Sequence, residues 1–144
     1  MADESANLKR IEQFWEDVYA HDFDKVGAYF AEDGRYEDVP TPDAGAIGPA
    51  NVARRLRIGL ERIESSEHHV HRMIAQGDTV ITEHTEDWHF DADTMVSLPF
   101  VSVHVLRDGK IVLWRDYWDL NTLMSGAPQW WIEHLAKFTA ADFS

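Results

Sequence analysis

Residues 81–90 read ITEHTEDWHF, with His84 and Glu86 two positions apart. In an extended strand, residues two apart share a face. An imidazole and a carboxyl group side by side can pass protons to and from a substrate when water is kept away. Two further segments have the same form. In LWRDYWDL, residues 113–120, Asp116 stands between Trp114 and Trp118, and in YEDVP, residues 36–40, Tyr36 and Asp38 share a face. Exposing these acids to solvent would expose Trp88, Trp114 and Trp118 with them, which a folded surface disfavours. Asp116, Glu86, His84, Tyr36 and Asp38 are therefore the candidate catalytic set. Trp88, Trp114 and Trp118 are the candidate walls of an apolar substrate pocket.

These residues converge only if their elements curl around one cavity. Residues 4–20 read as an amphipathic helix, with Leu8, Ile11, Trp15 and Val18 at three- and four-residue steps. A short helix is expected over about residues 24–30, capped by Asp22 or Asp24, and AEDG then reads as a stop and turn. After the Pro- and Gly-rich stretch TPDAGAIGP, a third helix is expected over residues 50–63, with Val52, Leu56, Leu60 and Ile63 in one stripe. The period then changes. Residues 67–76, 79–90, 95–107 and 110–119 read as four strands joined by short turns, hence an antiparallel meander. A last helix is expected over residues 128–138. Helices followed by antiparallel strands give an α+β class in which a curved sheet wraps over N-terminal helices as a cone. The 144 residues fit one domain, 1–144.

In residues 79–90 alternation places Val80, Thr82, His84, Glu86, Trp88 and Phe90 toward the pocket. It turns Ile81, Glu83, Thr85, Asp87 and His89 toward solvent or a subunit interface. Net charge is −13, which disfavours nucleic acid and anionic membranes as partners. The absence of cysteine excludes disulfides, thiolate metal sites and cysteine nucleophiles. With neither a long apolar run nor a signal-like start, a cytoplasmic protein is expected.

Other motifs carry less. His69 and His71 of HHVH would share a strand face, but two imidazoles without a third ligand make a weak metal site, so no metal is expected. His104 has no settled register. QWWIEHL reads as a lid over the pocket or a dimer contact. No Gly-rich phosphate loop and no G-x-S-x-G elbow occurs, and no cofactor is implied.

LWRDYWDL, following RDGKI, resembles the C-terminal strand of limonene-1,2-epoxide hydrolase-type proteins, of the nuclear transport factor 2-like or SnoaL-like superfamily. VITEHTED resembles that family's TER-x-D strand, and YEDVP its Y-x-N-x-P strand. The resemblance implies the α+β cone and a homodimer. It places Asp116 as the base that activates water and Tyr36 as a contact to water or substrate. Asp38 stands where the family has Asn, Glu86 where it has the acid Asp, and His84 where it has Arg. Asp38 cannot donate as an amide does unless it is protonated. His84 replaces a permanent cation with a group that titrates near about 6.5.

Opening an epoxide in one step needs a base on water and an acid on the leaving oxygen. Keeping Glu86 protonated at neutral pH costs about 4 kcal/mol, which burial among tryptophans can supply. A protonated His84 would be the favoured proton donor, and a neutral one could relay a proton between Glu86 and Asp116. The expectation is Asp116 on the base side and Glu86 with His84 on the acid side, with activity falling as pH rises through the His84 pKa. Two other readings stay open. Related cones host ketosteroid-isomerase-like, scytalone-dehydratase-like and polyketide-cyclase-like chemistry, which a Tyr, His and carboxylate set also suits. The pocket could also bind a hydrophobic small molecule without turnover.

Overall fold

The computed structural model describes residues 3–41 and 45–138. Asp3 caps α1 (Glu4–Tyr19) by accepting the Ala6 N–H at 3.0 Å. The helix buries Ile11, Phe14, Trp15 and Val18. That is the expected stripe with Phe14 added, and Leu8 lies half-buried at its margin. Asp22 caps α2 (Phe23–Ala28). A strand, β1 (Phe30–Asp38), follows directly, and then a two-residue strand, β2 (Ala46–Ile47). Pro49 opens α3 (Pro49–Leu60), where its fixed φ suits the first turn.

The meander comprises β3 (Ser65–Gln76), β4 (Thr79–Asp91), β5 (Thr94–Arg107) and β6 (Lys110–Tyr117). Each strand keeps to within two residues of its expected limits. The single sheet has the order β2-β1-β6-β5-β4-β3 and is antiparallel except where β1 runs parallel to β6. This parallel pair joins the helical half of the chain to the meander. Its register sets Tyr36 beside Trp114 and Asp38 beside Asp116.

One expectation needs correction. AEDG is not a stop and turn. It lies inside β1, where the register against β6 shifts between Phe30 and Arg35. Gly34 makes this possible, because a Cβ there would stand 2.5 Å from the Ile111 carbonyl oxygen. Among the described residues, the C-terminal region holds a further helix before the expected one. Asp119 accepts the Thr122 N–H at 2.9 Å and caps α4 (Leu120–Gly126), which the sequence reading did not anticipate. Pro128 separates it from α5 (Gln129–Leu135).

The apolar interior divides into two clusters. One packs α1, α2 and α3 against β1 and β6 through Phe14, Trp15, Val26, Leu56 and Trp114. The other holds Trp88, Phe90, Leu98, Phe100, Leu123 and Trp131 from β4, β5, α4 and α5. No helix among the described residues is long and apolar enough to cross a membrane. We expect Gly34→Ala to lower stability by about 2 kcal/mol, because the added methyl meets backbone and not a mobile side chain. A denaturation midpoint unchanged from the parent in urea titration would contradict this account of β1.

Candidate active site

The alternation read from residues 79–90 is the one observed. Val80, Thr82, His84, Glu86, Trp88 and Phe90 are all buried, while the residues between them are partly exposed. On β6, Trp114 and Asp116 point inward, and Trp118 follows just beyond the strand end. On β1, Tyr36 stacks on Trp114 with centroids 3.8 Å apart and planes 11° from parallel. These elements enclose a cavity of about 350 Å³ between the two apolar clusters. Tyr36, Asp38, Glu86 and Asp116 line it together with Trp88, Trp114 and Trp118. Leu123 of α4 and Trp131 and Leu135 of α5 complete the wall.

His84 is the exception. It is buried behind the wall and does not line the cavity. Its Nε2 lies 2.7 Å from Ser102 Oγ, and its Nδ1 lies 2.9 Å from His68 Nε2 and 3.6 Å from Glu86 Oε2.

The polar groups of the cavity are held individually. Asp116 accepts two hydrogen bonds on Oδ1, from the Ser102 hydroxyl and from Trp114 Nε1–H, each 2.6 Å. Glu86 Oε1 accepts from Trp88 Nε1–H at 2.8 Å. Asp38 accepts from Trp118 Nε1–H at 2.9 Å and pairs with Arg55 of α3 at 3.1 Å. The Arg55 guanidinium also lies over the Tyr36 ring, 5.5 Å from its centroid. The Tyr19 hydroxyl is buried beside Glu86, short of a full hydrogen bond.

Burial dominates the electrostatics. It pushes the Glu86 carboxyl up to about 7, offset in part by Tyr19 and Trp88 and reinforced by the Asp38 charge. Burial and the neighbouring Asp38 and Glu86 charges also raise Asp116 well above the ordinary carboxyl range, while Ser102 and Trp114 favour its ionised form. Burial raises the Tyr36 phenol as well, so it stays protonated. The imidazoles move the other way. Burial lowers His84 and His104 to about 3 and His68 to about 4, so all three are neutral near pH 7.

Three groups of this site are not among the residues expected from the sequence. Arg55 lies on the buried side of α3 with Val52 and Leu56, at i+3 and i−1 from them. Ser102 interrupts the inward apolar alternation of β5 between Phe100 and His104. His68 sits opposite Glu86 across the β3–β4 ladder. His69 and His71 meet Asp87 and Thr85 on the outer sheet face, away from the cavity. Glu67, His69 and Asp87 gather there on the surface.

A curved, mainly antiparallel sheet folded over N-terminal helices, with carboxyl groups in an aromatic cavity, defines a nuclear transport factor 2-like protein. The SnoaL-like domain model matches residues 11–114, and the chain belongs to that family. It is 33% identical over 119 residues to epoxide hydrolase EphG of Mycobacterium tuberculosis, covering 81% of this chain and 75% of that protein. The solved structure of an M. tuberculosis LEH-like epoxide hydrolase superposes with a TM-score of 0.71 at 28% identity, covering 92% of this chain and 94% of the other. A SnoaL-like polyketide cyclase fold from Jannaschia sp. CCS1 superposes with a TM-score of 0.76 at 18% identity, covering 87% and 94%, a likeness of fold alone.

His104 has no hydrogen-bond partner for either buried ring nitrogen among the described residues. Its depressed pKa fixes the sign of its effect. Below about pH 6.5 the unfolded chain binds a proton that the folded state refuses, so stability falls with pH until the native value near 3 is reached. Replacing it by leucine should remove up to about 1.4 kcal/mol of acid destabilisation per pH unit in that window. Urea denaturation of His104→Leu and parent at pH 7 and pH 5 checks this. Equal losses of stability in the two proteins would contradict it.

Proposed function

We propose that the protein is a cofactor-independent epoxide hydrolase acting on a compact apolar epoxide. The observation that carries this reading is the hydrogen bonding of Asp116. Both donors fall on Oδ1, which leaves Oδ2 for a water beside Tyr36, in the same cavity as the high-pKa Glu86. In this reading Asp116 takes a proton from water as the water oxygen bonds to an epoxide carbon. The bond between that same carbon and the epoxide oxygen breaks on the opposite face, and Glu86 gives its proton to the leaving oxygen. The product is a diol. The likeness to EphG supports the assignment.

The acid part falls to Glu86 alone. His84 was expected to share it as a group titrating near neutrality, but burial keeps the imidazole neutral and behind the wall. The family's departures also acquire a compensation. Asp38 stands in place of a neutral amide, and Arg55 supplies the matching cation. The cavity lies at the small end of the roughly 300–1,000 Å³ found for ligand pockets. Ile74, Met95, Val101 and Tyr117 stand exposed on the outer sheet face and suit the homodimer that the resemblance implies.

Incubation with apolar epoxides in oxygen-18 water should give a diol carrying one label. Asp116→Asn and Glu86→Gln should each lower kcat by about 10²-fold or more without loss of folded protein. The rate should fall as pH rises through about 7, because Glu86 must keep its proton. An unlabelled, isomerised or dehydrated product would favour isomerase or dehydratase chemistry. Ligand binding that survives Asp116→Asn with no turnover in the parent would favour a binding protein.

A further inference from the structure

Behind the cavity wall a hydrogen-bonded run leads from Asp116 through Ser102 and His84 to His68, and His84 also faces Glu86 without bonding to it. Ser102 Oγ is 2.6 Å from Asp116 Oδ1, His84 Nε2 is 2.7 Å from Ser102 Oγ, and His68 Nε2 is 2.9 Å from His84 Nδ1. The same Nδ1 faces Glu86 Oε2 at 3.6 Å. Ser102 and His84 are buried, and none of the three linking residues lines the cavity. His68, on β3, stacks on Tyr19 of α1, with centroids 4.2 Å apart and planes 18° from parallel. It opens into a separate cleft between those two elements.

Each of the three hydrogen bonds holds one proton, so the state at Asp116 biases the tautomer that His84 presents to Glu86. An ionised Asp116 requires the Ser102 hydroxyl to donate to it. Ser102 Oγ then accepts from His84, which must carry its proton on Nε2. Both imidazoles are kept neutral by burial, so His84 Nδ1 is a lone pair. A lone pair there accepts from His68 Nε2–H and tolerates a protonated Glu86, but it repels a Glu86 carboxylate. The reverse arrangement biases the run the other way. An ionised Glu86 favours Nδ1–H on His84, Nε2 then accepts a hydrogen bond from the Ser102 hydroxyl, and Asp116 keeps the Trp114 donor but loses the Ser102 one.

We propose that Ser102, His84 and His68 are positioning residues that couple the protonation of Asp116 to that of Glu86, so that ionisation of the base is favoured while the acid holds its proton. Their meaning for turnover rests on the hydrolase reading, but the chain itself is testable in the resting protein. Other groups bear on these two carboxyls. Tyr19 of α1 and Trp88 of β4 lie against Glu86, Asp38 of β1 with Arg55 of α3 lies on the cavity side, and His104 of β5 and His71 of β3 act on His84. None of them bridges Asp116 to Glu86, and none is altered by the variants below.

Nitrogen-15 spectra of labelled histidine should show His84 protonated on Nε2 and bare on Nδ1 at neutral pH. Carbon-13 spectra of labelled carboxyls should show the Glu86 midpoint falling by about one pH unit in Ser102→Ala, because the freed imidazole can turn Nδ1–H toward the Glu86 carboxylate. Ser102→Thr should restore the parent midpoint. His68→Phe, at the partly exposed end of the chain, should lower it in the same direction and serves where Ser102→Ala folds poorly. A merely structural role would lower the melting temperature and leave tautomer and midpoint in place. His84 found as the Nδ1–H form in the parent, or a Glu86 midpoint unmoved in the variants, would overturn the proposal. In turnover, the alkaline limb of kcat/KM should shift down with the Glu86 midpoint. A parent that opens no epoxide but shows the coupled titration refutes the hydrolase reading and leaves the chain standing. An active parent with unmoved midpoints refutes the chain alone.

Discussion

Three carboxyl groups, those of Asp38, Glu86 and Asp116, line one aromatic cavity, and Arg55 is the one cation among its described lining residues. Burying that much potential negative charge away from bulk solvent costs several kcal/mol per unpaired ion. The structure divides the load. Asp38 takes the cation and an indole donor, Asp116 takes a hydroxyl and an indole donor, and Glu86 takes a single indole donor. Burial raises both Glu86, to about 7, and Asp116, and the two donors on Asp116 oppose that rise. In the proposed reading the doubly donated Asp116 is the ionised partner and Glu86 the protonated one.

The fold supplies this division through register. Because β1 runs parallel to β6, Asp38 is delivered beside Asp116 from a distant part of the sequence, and α3 brings Arg55 to Asp38. The long antiparallel β4–β5–β6 ladder sets Ser102 between His84 and Asp116 across neighbouring strands. Indole groups at Trp88, Trp114 and Trp118 serve twice, as apolar walls and as N–H donors to the acids two residues away or across the cavity. Tryptophan suits this position because it adds a donor without adding a charge.

Much of this was legible in the sequence, and the limit has a physical origin. A strand reports its inward face directly, so His84, Glu86, Trp88, Trp114 and Asp116 could be assigned from alternation alone. Convergence of separate strands on one space was inferred from short turns and from aromatic residues that needed cover. Arg55 was not read because an arginine beside a buried helical stripe has the same pattern whether it snorkels to solvent or turns inward. Ser102 is too small and common to stand out until its partner strands are in register. The continuation of β1 through AEDG depended on a contact between Gly34 and Ile111, a tertiary fact with no local sequence signal. α4 did have one, Asp119 followed by Leu120, Leu123 and Met124 at helical spacing, but its shortness masked it.

The central claim is that Asp116 and Glu86 share one proton, held on Glu86, with Asp116 Oδ2 turned to a water. Neutron diffraction from crystals exchanged into deuterated solvent slightly below neutral pH reads this directly. The account predicts deuterium on Glu86, none on Asp116, and a water bonded to both Asp116 Oδ2 and the Tyr36 hydroxyl. Deuterium on Asp116, or a dry Oδ2 with no water between these two residues, would contradict it.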